Sequence, residues 1–404
     1  MRNNSLLLVS VMAILLSCSK EEFTEVQNEK PQPFNLIAIN NGAVEVGVKP
    51  TFIWEPAIDP EGFNVTYDLL VGKTANDLVP FASSINGTTF TPTQRLPVSE
   101  DLFWSVKAKD NKGAETIASD TFSFTTRKLT DGTLGINTFT TLQTHTSLVF
   151  DTKLWILGGQ NKILNSSDGI NWNVVNTTPA FQTRFNHSSV VFDNKMWVIG
   201  GEVSITNKND VWFSSDGNNW TQATNNAPFS ARQGQSSVVF DNKIWVIGGH
   251  AGTSSFNDVW FSSDGVNWQE ATNNVNFTIP LEHTTVVFDN KIYMIGGNEV
   301  RFSTNGITWQ LAATISQFSN RNNHSSVVFD DKIWLIGGFG IIDRNDVWFS
   351  KDGVTWTRNV ESANFNDRSK HTAVVFKEKI WVIGGVKLFS PSGEDPNNGI
   401  WFLD

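Results

Sequence analysis

Cysteine is nearly absent from the 404 residues. Cys18 stands alone, so no intramolecular disulfide can form and no cysteine-rich metal site can be built. Tyrosine is almost as scarce, with Tyr67 and Tyr293 against 30 Phe and 16 Trp, which removes chemistry that needs several phenols in one place. Basic residues make no run or basic amphipathic stretch, and the formal charge is −10. A nucleic-acid phosphate backbone is therefore excluded as a partner, and cationic or neutral ligands fit better. No apolar run reaches the length of a membrane span; the longest, Leu6–Leu16, suits instead the apolar region of a secretory signal. What remains is a globular composition, 39% hydrophobic and 17% charged, with enough apolar residues for more than one core.

Arg2 precedes the apolar run and Ser17-Cys18 follows it. Export is the expectation. Leu15-Leu16-Ser17-Cys18 resembles the lipobox of bacterial lipoproteins, which implies removal of residues 1–17 and lipidation of Cys18. Several acyl chains on one residue anchor firmly, since each buried methylene contributes about 0.8 kcal/mol. Ser19-Lys20-Glu21-Glu22 is similar to the acidic signal that sends lipoproteins of the Bacteroidetes group to the outer face of the outer membrane. The resemblance implies a surface-exposed lipoprotein held in the outer membrane, with residues 18–33 as a flexible tether.

Residues 34–127 alternate in short segments broken by turn signals: TFIWEP, DPEG, FNVTYDLLVG, TTFTPT, LFWSVKAKDNKG, DTFSFTT. Such a pattern predicts an antiparallel β-sandwich. Trp54, Tyr67, Trp104 and Val106 resemble core positions of fibronectin type III or immunoglobulin-like domains. Asp59, Glu61 and Asp110 offer carboxylates for a calcium site between loops, but Asp-Pro-Glu-Gly and Asp-Asn-Lys-Gly read first as turns. No metal and no cofactor is assigned, and the domain reads as a spacer.

One unit then recurs six times: HTSLVFDTKLWILGG, HSSVVFDNKMWVIGG, QSSVVFDNKIWVIGG, HTTVVFDNKIYMIGG, HSSVVFDDKIWLIGG and HTAVVFKEKIWVIGG. A first strand, a two-residue turn such as Asp193-Asn194 that needs positive φ, and a second strand can be read in each copy. A third strand such as NDVWFSS ends in an Asp-Gly or Asn-Gly turn (Asp216-Gly217, Asn305-Gly306), and a Trp such as Trp220 opens a fourth. Four antiparallel strands at a 40-to-50-residue period predict a propeller blade. The Gly-Gly and the later Trp resemble the kelch repeat, so the fold expected is all-β: a six-bladed kelch-type propeller over 128–404, preceded by an immunoglobulin-like sandwich. The sixth unit ends without a fourth strand, and Gly135-Ile136-Asn137-Thr138-Phe139 parallels Gly169-Ile170-Asn171-Trp172. Residues 133–142 are therefore predicted to complete the last blade and remove an exposed edge.

Strand direction puts the tight turns at one end and the long, varied loops with the blade connections at the other, which becomes the candidate ligand face. The connections repeat Phe181, Arg184, His187; Phe229, Arg232, Gln235; Phe318, Arg321, His324; Phe365, Arg368, His371. In the fourth unit Pro280 stands where the arginine is expected, beside Glu282. Kelch-like propellers often carry an arginine here near the central channel, so Arg184, Arg232, Arg321 and Arg368 are ligand candidates, their forks suited to carboxylates and sugar hydroxyls; the alternative is that each pairs with a neighbouring loop carbonyl or acid. Glu282, His250 on a variable loop, and Phe339 and Arg344 after Gly338 complete the set. The five in-register histidines, His145, His187, His283, His324 and His371, point to a task done once per blade, such as a hydrogen bond to neighbouring backbone.

No catalytic residue is assigned. Copper radical oxidases of this fold need a Tyr-Cys pair, and the propeller region has no Cys and only Tyr293. The Ser-Ser-Asp-Gly-x-x-Trp turns resemble sialidase Asp-boxes, which are structural. The expectation is a surface-anchored, non-catalytic protein whose loop face recognises a glycan or protein. Carbohydrate-active enzymes, such as a sialic-acid epimerase or glycosidase, and a structural part of an outer-membrane complex are the alternatives.

Overall fold

Each repeat folds as its turn chemistry dictates. Asp193 and Asn194 both take positive φ (48° and 52°), as do Asp241-Asn242, Asp289-Asn290 and Asp330-Asp331, the geometry of a type I′ hairpin turn. That turn joins Ser188–Phe192 to Lys195–Val203, and the same hairpin recurs in every repeat. The computed structural model describes residues 27–133, 142–159, 162–314, 318–387 and 399–404. Cys18, the signal segment, and residues 134–141 of the expected closing strand lie outside the described residues.

The chain divides into two compact units. One holds the chain up to Ala43 with Lys49–Gln94 and Asp101–Phe124; the other holds Val44–Val48, Arg95–Glu100 and Thr125–Asp404. In the first unit Phe52–Trp54 pairs with Leu36–Ala38 and Thr89–Phe90, while Asp101–Lys109 pairs with Thr66–Gly72 and Glu115–Ile117. Aromatic side chains of the two sheets meet at Phe52 and Trp104, 5.1 Å apart edge to face, and at Trp54 and Tyr67, 5.6 Å apart. Asp59 accepts the N–H groups of Glu61 and Phe63, and Asp110 those of Lys112 and Ala114, so both carboxylates close turns.

The second unit is a six-bladed β-propeller. Its six four-stranded antiparallel sheets are ordered from an inner strand outward. The inner strands Thr146–Phe150, Ser188–Phe192, Ser236–Phe240, Thr284–Phe288, Ser325–Phe329 and Thr372–Phe376 neighbour one another in a closed cycle. In the last blade the outermost strand is Asp131–Thr133, paired antiparallel with Ile400–Leu403. Apolar side chains fill the gaps between blades. Trp155, Trp197, Trp245, Trp334 and Trp381 are all at most 3% exposed. Each donates its indole N–H at 2.9 Å to the Phe carbonyl that ends the inner strand of its own blade. Against these rings sit the turn glycines of the following blades: Gly217 on Trp155, Gly265 on Trp197, Gly306 on Trp245, Gly353 on Tyr293, and Gly169 on Trp381, the contact that joins the first blade to the last.

Candidate functional site

The residue just before each in-register histidine or glutamine turns the chain into the inner strand at the mouth of the central channel. These residues are Thr144, Asn186, Gly234, Glu282, Asn323 and Lys370, and all six have positive φ, between 49° and 64°. Backbone hydrogen bonds link them from blade to blade: the Asn186 N–H to the Thr144 carbonyl, Gly234 to Asn186, Asn323 to Glu282 and Lys370 to Asn323, at 2.9 to 3.3 Å. They ring a polar cavity that opens to solvent. Asn and Gly tolerate such a conformation; a β-branched Thr, a Glu and a Lys do not favour it. Strained, blade-specific residues on an otherwise repeated scaffold are where function is sought.

Glu282 is the acid of this ring. Its carboxylate lies directly over Gly234, where a Cβ would meet Oε1 at 2.8 Å, and Oε1 is 3.3 Å from His250 Nε2. The hydrogen bond and charge of Glu282 raise the His250 pKa above its ordinary value against the effect of burial, with a smaller contribution from Glu202. On the next flank the Asn186 amide donates to Gln233 Oε1 at 2.8 Å. Two of the expected residues, Glu282 and His250, are thus brought together. Phe339 pairs backbone to backbone with Asn322, next to Asn323, while Arg344 pairs with Arg368 at the base of the same hairpin.

The four arginines are a correction. Arg184, Arg232, Arg321 and Arg368 are 0 to 2% exposed, and their guanidinium groups are turned into the blades. Arg232 donates to Asp258 at 2.6 and 2.8 Å and to the Gly248 carbonyl at 2.8 Å. Arg184 holds Asp210 and the Gly200 carbonyl in the same way, and Arg321 holds Asp346 and Gly337. Arg368 bonds Gly384 and stacks 3.8 Å from the centre of Trp401. Burial would raise the Asp258 carboxyl, but the bonds and charge of Arg232 hold it below its ordinary value. Trp260 completes the brace by donating to Asp258 at 2.7 Å. The fourth blade inverts this arrangement: Pro280 replaces the arginine, and Arg301, at the Trp260 position, bonds Glu299 at 2.7 to 2.8 Å and stacks 4.0 Å over Phe277.

The histidines tie blade to blade. Nε2 of His187 reaches Thr146 Oγ1, His324 reaches Thr284, and His145 reaches Thr372, each at 3.0 Å, while His283 reaches Ser236 at 2.8 Å. His371 bonds the Ile336 carbonyl at 3.1 Å, and Gln235 bonds the Ile199 carbonyl at 2.8 Å in the same role. Burial lowers their pKa values, to about 4 for His145 and His283 and about 3 for His187, His324 and His371. They are neutral struts. Below the mouth the channel is lined with hydroxyls, among them Ser147, Ser189, Ser237, Thr285 and Ser326. Some of these join across blades, as Ser188 with Ser237 and Thr284 with Ser326, both at 2.6 Å. Among the described residues no group of three His, Cys, Asp or Glu is placed to hold a metal ion.

Residues 109–297 match the family described as the KLHDC2/KLHL20/DRC7 Kelch-repeats domain. The chain carries a kelch-repeat domain. The matched segment is a little under half of the chain and reaches into the fourth blade of the kelch propeller. The solved structure of YjhT aligns with a TM-score of 0.54 at 15% identity, over 63% of this chain and 93% of that one, a likeness of fold alone. Among curated proteins none matches the chain. Sequence reasoning missed five of the six kelch-channel mouth residues. The sequence gives them little signal: the residues just before them, Gln143, Phe185, Gln233, Leu281, Asn322 and Ser369, vary as much, so the position does not stand out from the connection it belongs to.

Proposed function

We propose that the chain is a surface-anchored binding protein and that its ligand is a glycan seated at the mouth of the propeller channel. The observation that carries this reading is the mouth ring itself: an acid, a base, two amides, a hydroxyl and a glycine set at the heads of six closely similar inner strands. Its side chains offer donors and acceptors in plenty and no apolar anchor pocket, which suits a polyhydroxylated ligand. The hydroxyl-lined channel beneath extends the same chemistry. Anchoring through Cys18 to the outer face of the outer membrane would present this face to extracellular glycans. The enzymatic alternative, a sialic-acid epimerase or glycosidase, loses its carboxylate clamp with the burial of the four arginines. It also has no phenol to use, because Tyr293 is 3% exposed in the packing between blades.

A glycan array followed by calorimetry on the full chain tests the reading. Glu282→Gln and Lys370→Ala should each weaken binding at least tenfold, with unchanged melting. Binding indifferent to both would place the ligand elsewhere. Turnover of sialylated or neutral sugars that disappears in Glu282→Gln would make the protein an enzyme.

A further inference from the structure

The six connections between the second and third strands differ in length in a way that has a direction. From the second glycine of each repeat to the third-strand residue that faces the residue before Gly-Gly, the blades carry residues 160–162, 202–210, 250–258, 298–299, 339–346 and 386–399. The two short links belong to the first and fourth blades. In the cycle of inner strands these two blades are diametrically opposite.

Length here sets height. In the second blade the arms Lys195–Val203 and Thr206–Ser214 stay paired out to Val203 and Thr206, four residues beyond Ile199. At about 3.3 Å per residue they rise ~13 Å past it. In the fifth blade pairing continues to Phe339 and Asp343, and in the third a further hairpin pairs Ala251 with Ser254. In the fourth blade pairing stops at Gly296 and Glu299, one residue beyond Ile295, about 3 Å. In the first blade the described pairing runs to Leu157 and Ile163, with no paired extension beyond it among the described residues.

We propose that the second and third blades on one side and the fifth on the other are the walls of an open-ended groove that crosses the channel mouth from the first blade to the fourth, and that the groove binds an internal stretch of a linear polysaccharide. This rests on the reading of the mouth as a glycan seat. Thr144 and Glu282 mark the two low ends of the floor, with Asn186 and Asn323 between them on opposite sides. The hairpin tips expose Ile205 (94%) and Ile341 (92%), and Ile205 holds φ 67°, a conformation a β-branched residue adopts only under constraint. Apolar tips above a hydrogen-bonding floor match the two kinds of surface on a sugar chain, C–H faces and hydroxyl edges. A peptide would need apolar anchor pockets in the floor, and the mouth is lined by polar residues.

The test uses the full chain and a panel of neutral, amino and acidic linear oligosaccharides of two to eight units, each also prepared with both ends blocked. For the family of oligomers that binds, affinity should rise at least tenfold from two to six units, and blocking both ends should change it less than twofold. Replacing Asn298 by the third-blade segment HAGTSSFN should weaken six-unit binding at least tenfold and leave two-unit binding within twofold, with unchanged melting. Affinity flat with length, or lost on blocking an end, overturns the groove whether or not that variant folds. If the variant folds and spares long oligomers while Glu282→Gln abolishes binding of all lengths, the groove falls and the mouth site stands. No binding of any oligomer by the unaltered chain overturns both.

Discussion

Two kinds of polar side chain recur in this propeller, and depth decides what each one does. The in-register histidines are neutral because their rings are buried, and the consequence is a steep dependence of stability on pH. The unfolded chain takes up each proton near pH 6.5, the folded chain only near 3 to 4. Their full contribution is therefore present above about pH 7 and is lost as pH falls through 6.5 toward 3 to 4. Gln235 already does the same job without titrating. His324→Gln should fold and should remove about 1.4 kcal/mol per pH unit from the slope between pH 6 and 4. Urea titrations at several pH values would check it; a slope identical to the unaltered chain would mean that His324 is not neutral in the fold. The arginines show the same principle from the other side. Their spacing was legible as a repeat, but a sequence does not say whether a periodic fork points into a channel or into a blade. Asp210, Asp258 and Asp346, each 26 or 25 positions downstream, are the partners that settle it.

Turns were the most legible elements, because their chemistry is local. The Asp-Asn pairs adopt the positive φ their types allow, and in each Asp-Gly turn the aspartate caps its own loop. Asp264 accepts the N–H groups of Val266 and Asn267 and the hydroxyl of Ser262, at 2.7 to 3.0 Å. The glycine has a second task that no local reading supplies. Gly265 has φ 73° and its Cα lies against the Trp197 ring of the preceding blade. Gly265→Ala should therefore cost about 2 kcal/mol or more, from the left-handed backbone and from the clash together. Denaturant unfolding would measure it; a loss below about 0.5 kcal/mol, the range of an ordinary surface substitution, would show that the blades slide apart to make room. The mouth ring shares the positive φ of these turns, and Glu282 alone was singled out there, through its neighbour Pro280. The other five are visible only once the six inner strands are wrapped around one axis.

Closure makes six similar units one cooperative body. The first blade meets the last through His145 and Thr372, Ser147 and Thr372, and Gly169 and Trp381. Asp131–Thr133 supplies the strand that Ile400–Leu403 would otherwise leave without an outer neighbour. Thr130 and Asp404 exchange both backbone bonds at 2.9 and 3.0 Å, so Gly132, two residues on, also faces Phe402 as a hydrogen-bonded pair. Gly132→Pro removes that donor and should lower the melting temperature of the propeller as a single transition. A separate early transition confined to the last blade, seen by calorimetry, would show that the ring does not need this strand. The repeat, the blade count and the turns follow from residues close together in the chain, where φ preference and side-chain alternation operate over a few positions. The burial of the arginines against aspartates 25 or 26 positions on, the blade-to-blade bonds of the histidines, the ring of mouth residues and the opposition of the two short connections depend on contacts between separate segments, up to 227 residues apart for His145 and Thr372. Those are set when the blades pack around a common axis, and there depth decides whether a polar residue braces a blade or faces the channel mouth.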